Sequence, residues 1–378
     1  MFNHCHYVPV LRWKRGEWLA LKGLDATSRA QITPILEIPP KHWGLNETPA
    51  GPIDEIKIRT TADQIAENWG ADRAFVDLCL ISSTVKTTAG RNPLIGLFER
   101  AKALQLSLIP VADLLIPCNH SAVSAATSLG RAGAAIRLYR ADLTDNALRT
   151  KLATLVTTLG IPRSEIDLIV DLKKADDNCP SVNTVCSIVP ELMAWRTFSV
   201  VSGAFPKDLT GFSVGDHVLD RVDWLRWKTS IESKTPPVRL PAFGDYVTQH
   251  PIYSEPPSFA NFSASIRYAS EDKWVIMRGE GVRNDGGPGY AQWPANAQLL
   301  CAKTEFLGQD YCEGDAYIYQ TSLQTKKTGN AETWLRAGFN HHLTLVARQV
   351  AAVGAASTPR RPAPATGQVM RPQPTAHI

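Results

Sequence analysis

Short apolar runs, each closing on a polar or charged residue, recur about every 25 to 45 positions through the first two thirds of the chain. They are Tyr7–Arg12, Ile32–Glu37, Ala74–Asp77, Ser107–Asp113, Ala135–Arg140, Ile166–Asp171, Phe198–Ser202 and Val238–Asp245. Runs such as Ile32–Ile38 and Ile166–Val170 are apolar on both faces, as strands buried in a parallel sheet should be. Between them lie stretches with helical spacing. Glu17–Leu24 carries Trp18, Leu21 and Leu24, and Thr61–Trp69 places Ile65 and Trp69 on one face. Pro93–Leu104 opens with a first-turn proline and repeats Leu94, Leu97, Ala101 and Leu104. Thr144–Leu159 stops at Gly160 and Pro162, and Val182–Trp195 is a further helical stretch.

Strands alternating with helices imply parallel pairing, because a right-handed crossover needs a returning segment. Eight such units within residues 1–250 match an α/β (β/α)8 TIM-like barrel in number and length. An open doubly wound sheet would place a glycine-rich turn after the first strand, and Arg12-Trp13-Lys14-Arg15-Gly16 is not one. Pro9, Pro34 and Pro110 lie inside runs and call for local irregularity there. Residues 251–351 change texture and read as a C-terminal α+β elaboration packed on the barrel. It contains a hairpin from Ser263–Tyr268 and Lys273–Arg278, a loop at Gly279–Gly289, and helices at Ala295–Phe306 and Ala331–Val350. Residues 352–378 form an Ala/Pro/Thr/Arg-rich tail without periodicity, expected to be disordered.

Bulk properties narrow the class. The 378 residues carry a formal charge of +4, and the tail contributes Arg360, Arg361 and Arg371 with no acid, so the body is close to neutral and nucleic acid is not the expected partner. No apolar run is long enough to span a membrane, and the N-terminus does not read as a signal peptide. Seven cysteines without a C-x-x-C pair read as reduced thiols of a cytoplasmic protein.

One resemblance is carried by Tyr7-Val8-Pro9-Val10-Leu11-Arg12-Trp13-Lys14 with Glu17, by Ile32-Thr33-Pro34-Ile35-Leu36-Glu37, and by Gly329-Asn330-Ala331-Glu332-Thr333-Trp334 before Gly338-Phe339-Asn340-His341-His342. Over about residues 5 to 350 the chain resembles the beta protein family named from a T-even phage protein. The resemblance brings no catalytic residue with it. It implies a cytoplasmic protein of phages and bacteria, with a role in phage–host conflict. A protein partner from the same operon is expected if the barrel is a non-catalytic scaffold.

In a (β/α)8 barrel the chemistry lies at the carboxyl ends of the strands. Those ends supply Arg12, Glu37, Asp77, Asp113, Arg137 with Arg140, Asp171 with Lys173, Ser202 and Asp245. Converging carboxylates repel, and a hard divalent cation relieves the repulsion. Asp77, Asp113 and Asp171 are the expected ligands, for Mg²⁺ or Mn²⁺. Glu37, flanked by Leu36 and Ile38, is the expected general acid or base, with Asp77, Asp113 and Asp171 as further catalytic candidates; a structural salt bridge of Glu37 with Arg12 or Arg137 inside the barrel is the alternative. Arg12, Arg137, Arg140, Lys173, Asp245 and His341 are the expected substrate contacts, the arginines offering planar forks for phosphate. The pattern points to metal-assisted phosphoester hydrolysis. A non-catalytic protein-binding scaffold is the alternative. Asp245 with His250 is a further acid–base candidate, and Trp224-Leu225-Arg226-Trp227-Lys228 a candidate stacking surface.

Overall fold

The structure, a computed structural model, describes residues 2–45, 51–257 and 259–357. Seven strands appear first: β1 (Val10–Arg12), β2 (Ile35–Glu37), β3 (Ala74–Asp77), β4 (Leu108–Asp113), β5 (Ala134–Tyr139), β6 (Ile166–Lys174) and β7 (Thr197–Gly203). Then β8 (Gly215–Asp220) leaves the barrel, and β9 (Ala242–Gly244) completes it. The order β1-β2-β3-β4-β5-β6-β7-β9 is parallel throughout. A parallel bridge from Tyr7 to Phe243, with Val8 N–H on the Phe243 carbonyl and Val10 N–H on the Asp245 carbonyl, brings the last strand back to the first. The sheet is therefore a TIM-like barrel. Every sequence-predicted strand is present, the eighth shortened to its last residues. Pro9 and Pro34 sit just ahead of β1 and β2, where their carbonyls accept from Ile35 and Phe75 and their missing N–H breaks no ladder within the strand.

Alternation divides the strand residues into two sets. Val10, Ile35, Phe75, Ile109, Val111, Ala135, Ile169, Val201 and Ala242 fill the barrel interior. Leu11, Leu36, Val76, Leu108, Ile136, Leu168, Val170, Phe198, Val200 and Phe243 face outward onto helices. Each large apolar side chain so buried contributes about 1.5–3 kcal/mol. At the closing seam only glycine fits position 244: a Cβ there would lie 2.5 Å from the Val8 carbonyl oxygen and 2.6 Å from Val201 Cγ2.

The helices are α1 (Arg15–Lys22), α2 (Ala26–Ala30), α3 (Glu55–Asn68), α4 (Pro93–Ala103), α5 (His120–Gly130), α6 (Leu148–Leu159), α7 (Val182–Ile188) and α8 (Val222–Ile231). The Asp54 side chain caps α3 through the Ile56 N–H, so the helix starts ahead of Thr61. The stretch Val182–Trp195 is α-helical only to Ile188, with a 3-10 turn at Leu192–Ala194. In α8, Trp224 and Trp227 stack on each other and meet Phe243. Those rings are core, and Arg226 donates to the carbonyl of Cys179, so the candidate stacking surface is a packing helix.

Beyond the barrel, β10 (Ile266–Ala269) and β11 (Lys273–Arg278) form the expected hairpin, and β8 pairs with β11 to give a three-stranded antiparallel sheet. Helices α9 (Gln292–Cys301), α10 (Glu313–Ser322) and α11 (Ala331–Ser357) follow. α11 packs on α1 and α8 and so lies where an eighth outer helix belongs. It continues through Ala352 to Ser357, so residues 352–357, expected in the tail, are helical; the rest of the expected tail, residues 358–378, lies outside the described residues. Among the described residues, no helix is long and apolar enough to cross a membrane.

Candidate functional site at the barrel mouth

The centre of the barrel mouth is occupied by Arg137, an inward residue of β5 with no exposed surface. Its guanidinium reaches three carboxylates. Nη1 lies 2.6 Å from Asp77 Oδ2, and Nη2 lies 2.6 Å from Asp171 Oδ2 and 2.9 Å from Glu37 Oε1. It also donates to the Tyr246 hydroxyl at 2.9 Å, and that hydroxyl donates to Asp171 Oδ2 at 2.6 Å. Lys173 completes the group, its amine 2.9 Å from the Tyr246 oxygen, 3.0 Å from Asp171 Oδ2 and 3.8 Å from Glu37 Oε1. Arg12 stands 3.6 Å from the other Glu37 oxygen and is anchored on Gln249 and the carbonyls of His250 and Pro251.

Three carboxylates thus face three cations, and the charges cancel. Register explains the convergence. Arg12 pairs with Glu37, and Glu37 with Asp77, in one inward row across β1, β2 and β3. Arg137 and Tyr139 alternate on β5, and Asp171 and Lys173 on β6. A β-bulge between Asp171 and Lys174 puts Lys173 in the left-handed region, φ 55°, which bulky residues rarely adopt. The Asp171 Oδ1 accepts the Lys173 N–H and holds the bend, leaving the amine at the edge of solvent with 28% side-chain exposure.

The electrostatics follow from this pairing. Burial pushes the Asp171 carboxyl up, but Lys173 and Arg137 outweigh it and hold it at about 2. Burial likewise opposes ionisation of Glu37, and Arg137, Lys173 and Arg12 together keep it below the usual carboxylate range. Burial and the charge on Asp171 push the Tyr246 phenol up, and burial does the same to Tyr139. Glu17 lies behind Arg12, accepting the Arg12 N–H at 2.5 Å and the Gln249 amide at 2.8 Å. Burial raises its carboxyl to about 7 against the hydrogen bond from Gln249 and the charge of Arg12.

A cleft opens beside Asp77, lined by Cys79, Ser82, Asn92, Asp113 and His120 among others, with a cavity of about 30 Å³. That is room for roughly two waters. Asp113 belongs to this cleft rather than to the charge cluster. Its Oδ1 accepts the N–H groups of Leu115 and Ile116, and burial with the nearby charge of Asp77 raises its carboxyl.

Of the sequence-derived residues, Arg12, Glu37, Asp77, Arg137, Asp171 and Lys173 come together. Asp113 lines the adjoining cleft. Three do not join. Arg140 points out of the barrel, 3.1 Å from Asp176 Oδ1, because it is out of phase with Arg137 and Tyr139. Asp245 accepts from the Tyr7 hydroxyl and lies 2.7 Å from His342 Nε2 on α11, so it ties the barrel wall to that helix and does not pair with His250. His341 turns the other way, to Asp315. The metal triad Asp77, Asp113 and Asp171 does not assemble, because Arg137 lies between Asp77 and Asp171 and Asp113 is spent on backbone N–H groups. Among the described residues, the one group of three with donor atoms within 4.8 Å of one another is Cys312, Asp315 and His341. Sequence reasoning missed Tyr246, Tyr139, Glu17 and Gln249. Tyr246 was within reach, since counting by twos from Ala242 reaches an inward position at 246.

The match to known families is decided by residues 7–348, which fit the model described as Beta protein. The chain belongs to the Beta protein family. Nearly the whole barrel and elaboration fall inside that match, including every residue of the mouth cluster. No curated protein matches the chain. Among solved structures, N-acetylneuraminic acid (sialic acid) synthetase from Leptospira borgpetersenii serovar Hardjo-bovis, in complex with citrate, is similar at 11% identity. The likeness covers 63% of this chain and 71% of that one, at a TM-score of 0.32.

Proposed function

We propose that this Beta protein is an enzyme of phage–host conflict whose active site is the barrel mouth and whose substrate is a small phosphate-bearing molecule. One observation carries the reading. Side chains from β1, β2, β3, β5, β6 and the end of β9 converge on one buried ionic cluster, and Lys173 projects from it toward solvent on strained backbone. Buried ion pairs stabilise a fold no better than apolar side chains of the same volume, so this arrangement is costly as structure and sensible as a site. Lys173 is the group that meets the substrate's anion. Glu37 and Asp171, held low, stay ionised and position the cations, while Asp113, in the adjoining cleft, is assigned proton transfer. Arg137 supplies the positive charge that Mg²⁺ or Mn²⁺ would bring to the carboxylates, so the site favours a reaction driven by these cations over the metal-assisted form.

Calorimetric titration with inorganic phosphate and pyrophosphate tests this. The wild type should bind, and Lys173→Met should bind at least about tenfold more weakly, a loss of about 1.4 kcal/mol. Equal binding by the two proteins, or none by either, overturns it.

The second reading, a non-catalytic scaffold for a protein from the same operon, rests on the mouth being complete without a ligand: its charges cancel and its cavity holds little more than water. Purification from the native host should then recover a stoichiometric partner, whereas a lone monomer counts against it.

A further inference from the structure

The elaboration carries its own constellation, which shares no residue with the mouth cluster. Cys312 occupies the N-cap position of α10, Asp315 lies one turn on, and His341 reaches them from α11. Cys312 Sγ is 2.9 Å from Asp315 Oδ2, and His341 Nδ1 is 2.7 Å from the same oxygen. The other Asp315 oxygen accepts from the Tyr268 hydroxyl at 2.7 Å. His341 and Asp315 have no exposed surface, and Cys312 is partly exposed, which leaves a way in.

The surroundings of His341 point to a ligand. Its Nε2 lies 2.8 Å from the Ala269 carbonyl, an acceptor only, so Nε2 carries a proton. Its Nδ1 faces a carboxylate, a second acceptor. Nδ1 therefore stands beside Asp315 Oδ2 and Cys312 Sγ with the far side of the ring fixed, and a histidine whose far N–H is held on a backbone carbonyl is how proteins orient imidazole toward a metal. The ring is further held by stacking on Tyr268 at 3.8 Å between centroids.

We propose that Cys312, Asp315 and His341 bind one transition-metal dication, Zn²⁺ by the softness of the donor set, and so clamp α10 to α11. Thiolate and imidazole select zinc over Mg²⁺ or Ca²⁺, which take oxygen. On binding, Sγ exchanges its proton for a bond to the metal and the proton leaves to solvent. The donors need only spread slightly from their present hydrogen-bonded spacing, and the fourth position opens toward the exposed side of Cys312 for a water. The clamp also has a geometric consequence. Adjacent residues on a helix point about 100° apart. Fixing His341 on the elaboration fixes the rotation that seats His342 on Asp245 of the barrel.

The test uses the full chain, stripped with a chelator and titrated with Co²⁺ alone and then Zn²⁺ alone. The expected result is one equivalent of Co²⁺ with a thiolate-to-cobalt charge-transfer band, displaced by Zn²⁺. Cys312→Ser should abolish the band and weaken binding by at least about 100-fold, while Cys118→Ser, at an exposed cysteine elsewhere, should change neither. Asp315→Asn is the second variant should the serine fail to fold. Zn²⁺ should also raise the melting temperature of the wild type and leave that of Cys312→Ser unchanged. No stoichiometric binding by the wild type, or a band that survives Cys312→Ser, overturns the proposal.

Discussion

Replacing Arg137 with methionine should expose what the mouth cluster is worth. The substitution keeps most of the side-chain volume and removes the cation that touches Glu37, Asp77 and Asp171 at 2.9, 2.6 and 2.6 Å. Removing one partner of a buried ion pair costs about 3–5 kcal/mol, because the remaining charge is left without compensation. Lys173 and Arg12 remain, but two cations then face three carboxylates, and at least one carboxyl must take a proton. The sign of the pH effect follows. In the wild type, Asp171 and Glu37 are held low, so the stability they contribute is present above the ordinary carboxylate range and lost only as pH falls toward about 2. In Arg137→Met, burial prevails and at least one carboxyl rises above its unfolded value, so the penalty is largest at neutral pH and shrinks as pH falls toward 5. One extra proton bound by the folded state changes stability by about 1.4 kcal/mol per pH unit. Urea unfolding at pH 7 and pH 5 measures the difference between the two proteins, in which Glu17 and the other buried groups cancel. The expected deficit is about 3–5 kcal/mol at pH 7, smaller by about 1–3 kcal/mol at pH 5. A deficit under about 1 kcal/mol, equal at both pH values, would refute the electrostatic account.

The remaining expectations are simpler. Glu17, raised to about 7, makes the folded state lose stability as pH climbs from the ordinary carboxylate range through 7, by up to ~3 kcal/mol; Glu17→Gln should flatten urea midpoints between pH 5 and pH 8, and an unchanged slope would count against a buried, titrating Glu17. Gly244→Ala should destabilise by about 1–3 kcal/mol in the same assay, because the new methyl meets the Val8 carbonyl at the barrel seam; a neutral result would mean that β9 can shift away from β1.

The sequence by itself determined the barrel. Eight apolar runs with helical stretches between most of them demand burial on both faces and returning crossovers, and local chemistry suffices to specify that. It also determined most of the mouth, since Glu37 and Asp77 end their strands, Asp171 closes the apolar run of β6, and a barrel gathers strand ends. It did not reveal α5, which buries the small side chains Ala122, Val123, Ala126 and Thr127 instead of a leucine stripe, nor α10. It placed Arg140 and Asp245 wrongly because it read the last polar residue of a run, whereas pleating selects alternate residues: 137 and 139, or 242, 244 and 246. Only the tertiary structure decided how the charges pair. Arg137 lies 34 residues from Asp171 and 60 from Asp77 along the chain. Whether clustered acids repel, bind a metal or close on an arginine depends on which cation reaches the centre first, and that is set by register across the barrel. The two histidines make the same point: identical neighbours in sequence, they face opposite ways from α11 because a helix turns about 100° per residue, one to Asp315 in the elaboration and one to Asp245 in the barrel.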